Sequence, residues 1–217
     1  MFIDKNCYGT IALFWAACLV LAGVVMWLAD GPAIYLLIAA IVVFGLFVTW
    51  FHRAPVRPCN TEEGIVTSVA DGRVVIVEKV YEREYLHREC IQVSVYMDFF
   101  DVHANYWPMT GEVTYYKYHP GRYLLAFLPK SSEKNEHSST AIRNRYGEIL
   151  SKQIAGTFAR RIVCYSEEGM ETECGKQCGI IKFGSRIDLF LPLDADIKVK
   201  IGDHARACET VIADLKK

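Results

Sequence analysis

The sequence predicts a mainly β protein, an antiparallel sandwich or barrel-like domain with carrier-domain-like hairpins, preceded by a hydrophobic helical hairpin. Three observations predict it. Two apolar runs at the N terminus flank a single turn. From residue 55 the composition changes to short β-branched and aromatic runs. Asp-Gly, Pro-Gly, Glu-Gly and Cys-Gly steps then punctuate those runs, as turns punctuate antiparallel strands.

Residues 10–29 and 33–51 are almost unbroken apolar, with Asp30-Gly31-Pro32 between them. Each run approaches the roughly 20 residues an α-helix needs to cross a hydrocarbon core, and the Asp-Gly-Pro step is both a turn and a helix-start signal. Trp27, Trp50 and Phe51 fall at the ends of the runs, where aromatic anchors meet the membrane interface. Lys5 precedes the hairpin, His52, Arg53 and Arg57 follow it, and its loop carries only Asp30. The positive-inside rule puts both ends in the cytoplasm. A cleaved signal peptide is disfavoured, because the second apolar run follows at once without a small-residue processing site. The predicted domains are therefore a membrane-associated hairpin, 1–54, and a β-rich domain, 55–217.

Within the second domain the strand-like runs are 65–69, 73–80, 91–96, 111–118, 160–165, 179–183, 187–191 and 197–201. The polar stretch 131–145 reads as an exposed loop with room for a short helix. A faint internal echo links 111–126 with 197–213, each resembling the strand–turn–strand unit of biotinyl and lipoyl carrier domains. No carrier lysine stands at the hairpin tip, and Cys208 occupies the place such units give to glycine.

Charge excludes one class of partner: 24 basic against 25 acidic residues leave a net charge of −1, so no nucleic acid is expected. The eight cysteines are scattered, and reduced thiols are expected rather than a disulfide framework. Cys174 and Cys178 lack two further ligands at motif spacing, so no metal centre is expected and 173–176 reads as a β-turn.

The chemistry centres on Gly184-Ser185, set in a strand-like run from Lys182 to Pro192. A serine hydroxyl needs activation to be a nucleophile, but directly after a flexible glycine it can bend back onto the preceding carbonyl carbon. Several ordered motifs accompany this step. They are Val69-Ala-Asp-Gly72, Phe100-Asp-Val-His-Ala-Asn105 with Pro108-Met-Thr-Gly111, His119-Pro-Gly121, and Glu133-Lys-Asn-Glu136. Gln153-Ile-Ala-Gly156 with Ala159-Arg-Arg-Ile162 and then Gly179-Ile-Ile-Lys-Phe-Gly-Ser-Arg-Ile-Asp188 complete the series. Together they closely resemble the short bacterial and archaeal form of phosphatidylserine decarboxylase, over essentially all of residues 64–213.

The resemblance implies a proenzyme that cuts itself between Gly184 and Ser185 into a large chain, 1–184, and a small chain, 185–217, which stay together as a heterodimer. Ser185 becomes a pyruvoyl cofactor, and a Schiff base to it drives decarboxylation of phosphatidylserine to phosphatidylethanolamine. The implied partners are a serine phospholipid and the cell membrane, with the catalytic domain on the cytoplasmic side. His103 falls on the family's catalytic histidine, and Asp71 is the acid/base partner for self-cleavage. The longer bacterial form has a second histidine three residues after the first; here Tyr106 stands there, and His119 is an alternative for that role. Arg160 or Arg161 is the substrate-phosphate partner, in competition with Arg186 and Lys182; adjacent residues on a strand face opposite ways, so one of the pair reaches the site. An archaeal-type ether serine lipid would leave the same motifs intact. A non-catalytic tethered carrier-like domain does not explain their co-occurrence, and a serine hydrolase would need a Gly-x-Ser-x-Gly elbow that is absent.

Overall fold

A computed structural model describes residues 2–28, 30–121, 135–156, 162–181 and 185–216. The chain divides into two compact units, Met1–Pro55 and Val56–Lys217.

The first unit is a helical hairpin. Strand β1 (Phe2–Ile3) leads through a 3-10 turn to α1 (Tyr8–Leu28), then α2 (Ala33–Phe51) and β2 (Arg53–Ala54). Both helices are long and apolar enough to cross a membrane. They contact each other through Phe14 and Phe44, edge to face at 5.2 Å, and Trp15 Nε1 donates to Thr49 Oγ1 at 3.0 Å. Gly45 makes this fit: a Cβ there would lie 2.9 Å from the Trp15 ring. Leu13, Trp27, Tyr35 and Leu36 point outward and are exposed, the reverse of a water-soluble helix pair. β1 pairs antiparallel with β2, Phe2 opposite Ala54, so the two ends of the hairpin meet on one side.

The second unit is built from antiparallel strands. In chain order they begin with β3 (Ile65–Thr67), β4 (Gly72–Glu82), β5 (Arg88–Met97), β6 (Ala104–Tyr106), β7 (Gly111–His119) and β8 (His137–Asn144). Next come β9 (Gly147–Ala155), β10 (Ile162–Cys164), β11 (Glu171–Thr172), β12 (Gln177–Ile181) and β13 (Ser185–Leu191). β14 (Asp196–Ile197), β15 (His204–Ala205) and β16 (Val211–Asp214) complete the set. Eight of them form one curled sheet in the order β11-β7-β8-β9-β13-β5-β4-β15, flanked by the three-stranded sheets β10-β12-β6 and β14-β16-β3. The core lies where these sheets face one another and is filled by Val66, Val93, Val95, Ile142, Ile181, Ile187 and Leu189. β13 sits centrally, paired with β5 over seven residues and with β9 over six.

Two expectations are corrected. The stretch 131–145 is not an exposed loop in its described part: 137–144 is strand β8, with residues 137–142 buried. Its polar side chains mislead because they are satisfied inside the protein, Ser138 by Gln153, Ser139 by Glu84 and Thr140 by Ser166. The cysteines are not all reduced either. Cys59 and Cys174 form a disulfide with Cα atoms 6.4 Å apart, because a turn at Glu173–Lys176 brings Cys174 against the segment before β3. Cys208 adopts φ 69°, the left-handed conformation for which a carrier-type unit uses glycine.

Candidate active site at the head of the central strand

Ser185 is the first residue of β13 and is fully buried. It pairs with Met97, the last residue of β5, and with Ala155, the last of β9. Side chains alternate along a strand, so Ser185 shares the core face with Ile187, Leu189 and Leu191, while Arg186, Asp188 and Phe190 face the other way. Among the described residues the Ser185 hydroxyl makes a long contact, 3.6 Å to Met97 Sδ.

A thread of neutral polar groups continues from that sulfur. Asn105 Nδ2 reaches the same Sδ at 3.9 Å, Gln153 Nε2 donates to Asn105 Oδ1 at 2.8 Å, and Ser138 Oγ donates to Gln153 Oε1 at 2.7 Å. Gly179 allows the approach of Gln153: a Cβ there would lie 2.8 Å from Nε2 and 2.3 Å from the Val163 carbonyl oxygen. The end of β9 is clamped by Asn135 and Glu136. Asn135 Nδ2 donates to the Ala155 carbonyl at 2.7 Å, and the Ala155 N–H donates to the Glu136 carbonyl at 2.9 Å. The Glu136 carboxylate then accepts from the Ile162 N–H at 3.2 Å. The Asn-Glu pair of the fourth motif thus fixes the strand end opposite Ser185.

His103 is fully buried just before β6. Its carbonyl accepts from the N–H of Ile181 at 3.2 Å, the last described residue before the stretch that leads to Ser185. The ring Nδ1 lies 3.0 Å from the Asp101 carbonyl oxygen. A carbonyl only accepts, so the proton is on Nδ1 and the lone pair of the neutral ring is on Nε2.

Asp71 stands at the same end of the large sheet. Arg73 is opposite Tyr96, which is opposite Arg186, so the head of β4 lies two strands, about 10 Å, from the head of β13. The Asp71 carboxylate is gripped by both terminal nitrogens of Arg57, Nη2 at 2.7 Å from Oδ2, and accepts from the Ala207 N–H at 2.9 Å. Asp71-Gly72 is not a hairpin tip; it carries the chain from one sheet into another. Gly72 has φ 147°, and a Cβ there would lie 2.1 Å from the Tyr96 carbonyl oxygen. Tyr106 is buried near this pair, and burial above all pushes its phenol above the usual tyrosine range. It remains protonated at neutral pH and is no base.

His119 lies elsewhere. It pairs with His137, which pairs with Ile154, which pairs with Arg186. It therefore belongs to the face opposite Ser185, three strands away. Arg186 is fully buried against Asp188, with Nε 2.8 Å from Oδ1 and Nη2 3.1 Å from Oδ2. Gly184, Lys182, Arg160 and Arg161 fall outside the described residues. Sequence reasoning missed Arg57 as the partner of Asp71; the flanking Pro55 and Pro58 signal only a restricted backbone there. It also missed Met97 and Ser138, for which no signal existed.

A family model described as "Phosphatidylserine decarboxylase" matches residues 44–213, spanning every residue of this arrangement. The chain belongs to the phosphatidylserine decarboxylase family. It is similar to the phosphatidylserine decarboxylase proenzyme of Amoebophilus asiaticus, 47% identical over 174 residues that cover 80% of this chain and 77% of the relative. The proenzyme of Parabacteroides distasonis is 42% identical over 178 residues, 81% and 80% of the two chains. That of Bacteroides thetaiotaomicron is 39% identical over 211 residues, 94% and 92%. The long match to the last relative takes in the helical hairpin as well as the β unit.

Proposed function

We propose that this member of the decarboxylase family is a membrane-held proenzyme that cuts itself between Gly184 and Ser185 and then decarboxylates phosphatidylserine to phosphatidylethanolamine. The observation that carries the reading is Ser185, a buried hydroxyl at the head of the central strand. In the maturation step Ser185 Oγ attacks the Gly184 carbonyl carbon, and the acyl group moves from nitrogen to oxygen. Loss of the α-proton of residue 185 expels the Gly184 carboxylate and leaves dehydroalanine. Hydrolysis of that residue releases ammonia and leaves a pyruvoyl group at the start of chain 185–217. The new small chain stays in place because β13 keeps its pairing with β5 and β9. Its Ile187, Leu189 and Leu191 are buried, and each contributes about 1.5–3 kcal/mol of hydrophobic stabilisation.

The described residues fit such a group: Ser185 is buried at the head of β13, beside the neutral Met97 and Asn105. When formed, it supplies an electrophilic ketone that takes the substrate amine and accepts the electrons of the breaking carbon–carboxylate bond. The chain's own work is to bind, to exclude water and to move protons. His103 exchanges a proton at Nε2 and, in its charged form, returns one to the carbon that has lost carbon dioxide. Asp71, oriented by Arg57, is the base for self-cleavage, which leaves Tyr106 as a donor. Arg160 or Arg161 meets the substrate phosphate. The outward apolar faces of α1 and α2, the meeting of β1 with β2, and Arg53 directly after the helices support a hairpin anchored in the cell membrane from the cytoplasmic side.

Intact-mass measurement of the purified full chain tests the reading. Two chains are expected, the smaller beginning at residue 185 with pyruvoyl in place of serine, and Ser185→Ala remains one inactive chain. A single uncut chain that still decarboxylates the lipid would sink it.

A further inference from the structure

On the face of the large sheet turned away from Ser185, the segment between β4 and β5 brings Glu84 over the ends of β7 and β8. There Glu84, His119 and His137 each offer a ligand atom, and these atoms lie within 4.8 Å of one another. We propose that these three side chains bind one divalent first-row transition-metal ion of the zinc class. Two imidazoles and a carboxylate are the donor set that such ions prefer.

The surroundings are arranged as outer-shell support. His137 Nδ1 lies 2.7 Å from the Asn135 carbonyl oxygen, which puts the proton on Nδ1 and the lone pair on Nε2. Metal-binding histidines are oriented in this way. The His119 and His137 rings stack at 4.3 Å with planes 12° apart, and one nitrogen of each lies within 4.8 Å of a Glu84 oxygen. Glu84 Oε1 is 2.6 Å from His119 Nε2, while Oε2 is held by Lys152 Nζ at 2.7 Å and Ser139 Oγ at 2.9 Å. Tyr115 Oη also donates to Oε1, at 3.2 Å, so an ion bound there would take the place of the proton between Oε1 and His119 Nε2. The cluster opens into a cleft of about 550 Å³, which gives an ion an entry path and room for solvent ligands. Lys152 opposes a cation, but Glu78, Glu82 and Glu84 outnumber Lys152 and Arg83 among the cleft's charged residues. Bound there, the ion would pin the segment before β5 to the end of the sheet. Nothing in the sequence advertises the site, since positions 84, 119 and 137 follow no ligand spacing.

The test is titration of the metal-stripped full chain in detergent with Co2+, followed by its visible d–d bands, and competition with Zn2+. One equivalent is expected, without thiolate charge transfer, and Zn2+ displaces it and raises the thermal midpoint. Glu84→Gln and His137→Gln each weaken binding by about 100-fold, the upper end of what even outer-shell losses cause. Failure to take up one equivalent, a thiolate spectrum, or undiminished affinity in these variants overturns the proposal. If circular dichroism shows that either variant is misfolded, His119→Gln at the more exposed edge decides: retained affinity in that variant refutes the site.

Discussion

Among the described residues, the buried polar side chains that continue from Ser185 on the core face of the eight-stranded sheet are neutral, whereas the opposite face carries buried charges in pairs. Ser185, Asn105, Gln153 and Ser138 form a thread of amides and hydroxyls closed by the Met97 thioether. One residue along β13 in sequence, Arg186 and Asp188 are both fully buried and face each other as an ion pair. Farther along that face Lys152 bridges Glu82 and Glu84 at 3.0 and 2.7 Å. The alternation of a single strand separates the two environments. Neutral hydrogen bonds tolerate a low dielectric with modest loss. Charges in the same setting persist only where a partner offsets their desolvation.

The largest effect expected on the core face is catalytic. His103→Ala should cut itself at the normal position yet lose about 10²–10⁴ in turnover, the usual range for a general acid. Unchanged turnover in the cleaved variant would remove His103 from the mechanism. The matching test on the charged face is thermodynamic. Asp188→Ala removes the carboxylate that Arg186 faces in the interior and should destabilise the domain by about 3–5 kcal/mol, whereas replacing both by apolar residues should be close to neutral. Denaturant unfolding of the single and double variants distinguishes these outcomes; a mild Asp188→Ala would mean that the two faces differ less than their chemistry suggests.

Much of this arrangement was legible in the chain because its signals are local. The helical hairpin follows from hydropathy, and strands such as β4, β5, β7 and β13 follow from β-branched runs between glycine turns. The Gly-Ser step stands out through the motifs around it. What escaped is tertiary. β8 reads as a loop because Ser138, Ser139 and Thr140 look like solvent-facing residues until Gln153, Glu84 and Ser166 arrive from elsewhere in the chain. The grip of Arg57 on Asp71 and the pairing of Cys59 with Cys174 likewise depend on contacts between distant segments. The alternation that turns His119 away from Ser185 is invisible without the register of four strands.

A smaller effect probes the neutral thread. Gln153→Leu removes the donor to Asn105 and the acceptor for Ser138, leaving two buried groups unsatisfied. A loss of about 1–3 kcal/mol is expected, together with slower self-cleavage in pulse–chase, because Asn105 borders the Met97 sulfur that Ser185 contacts. Stability lost without any change in cleavage rate would reduce the thread to a structural role.

The smallest effect, and the one that contrasts the faces directly, depends on pH. Burial works against ionisation of Glu84, but the hydrogen bond and charge of Lys152, with His119 and Ser139, hold its carboxyl at about 2, below the ordinary 4.5. The folded value is depressed, so this contribution to stability is fully present above about pH 4.5 and is lost as pH falls from 4.5 towards 2. With both proteins stripped of metal, the thermal midpoint of the wild type should therefore fall more steeply through that window than that of Glu84→Gln, whose amide does not titrate. Gln153→Leu should run parallel to the wild type across the same window, because it alters no charge. If Glu84→Gln also ran parallel, the charged face would draw no net stability from this carboxylate, and the contrast between the two faces would rest on the Arg186–Asp188 and Lys152–Glu82 pairs.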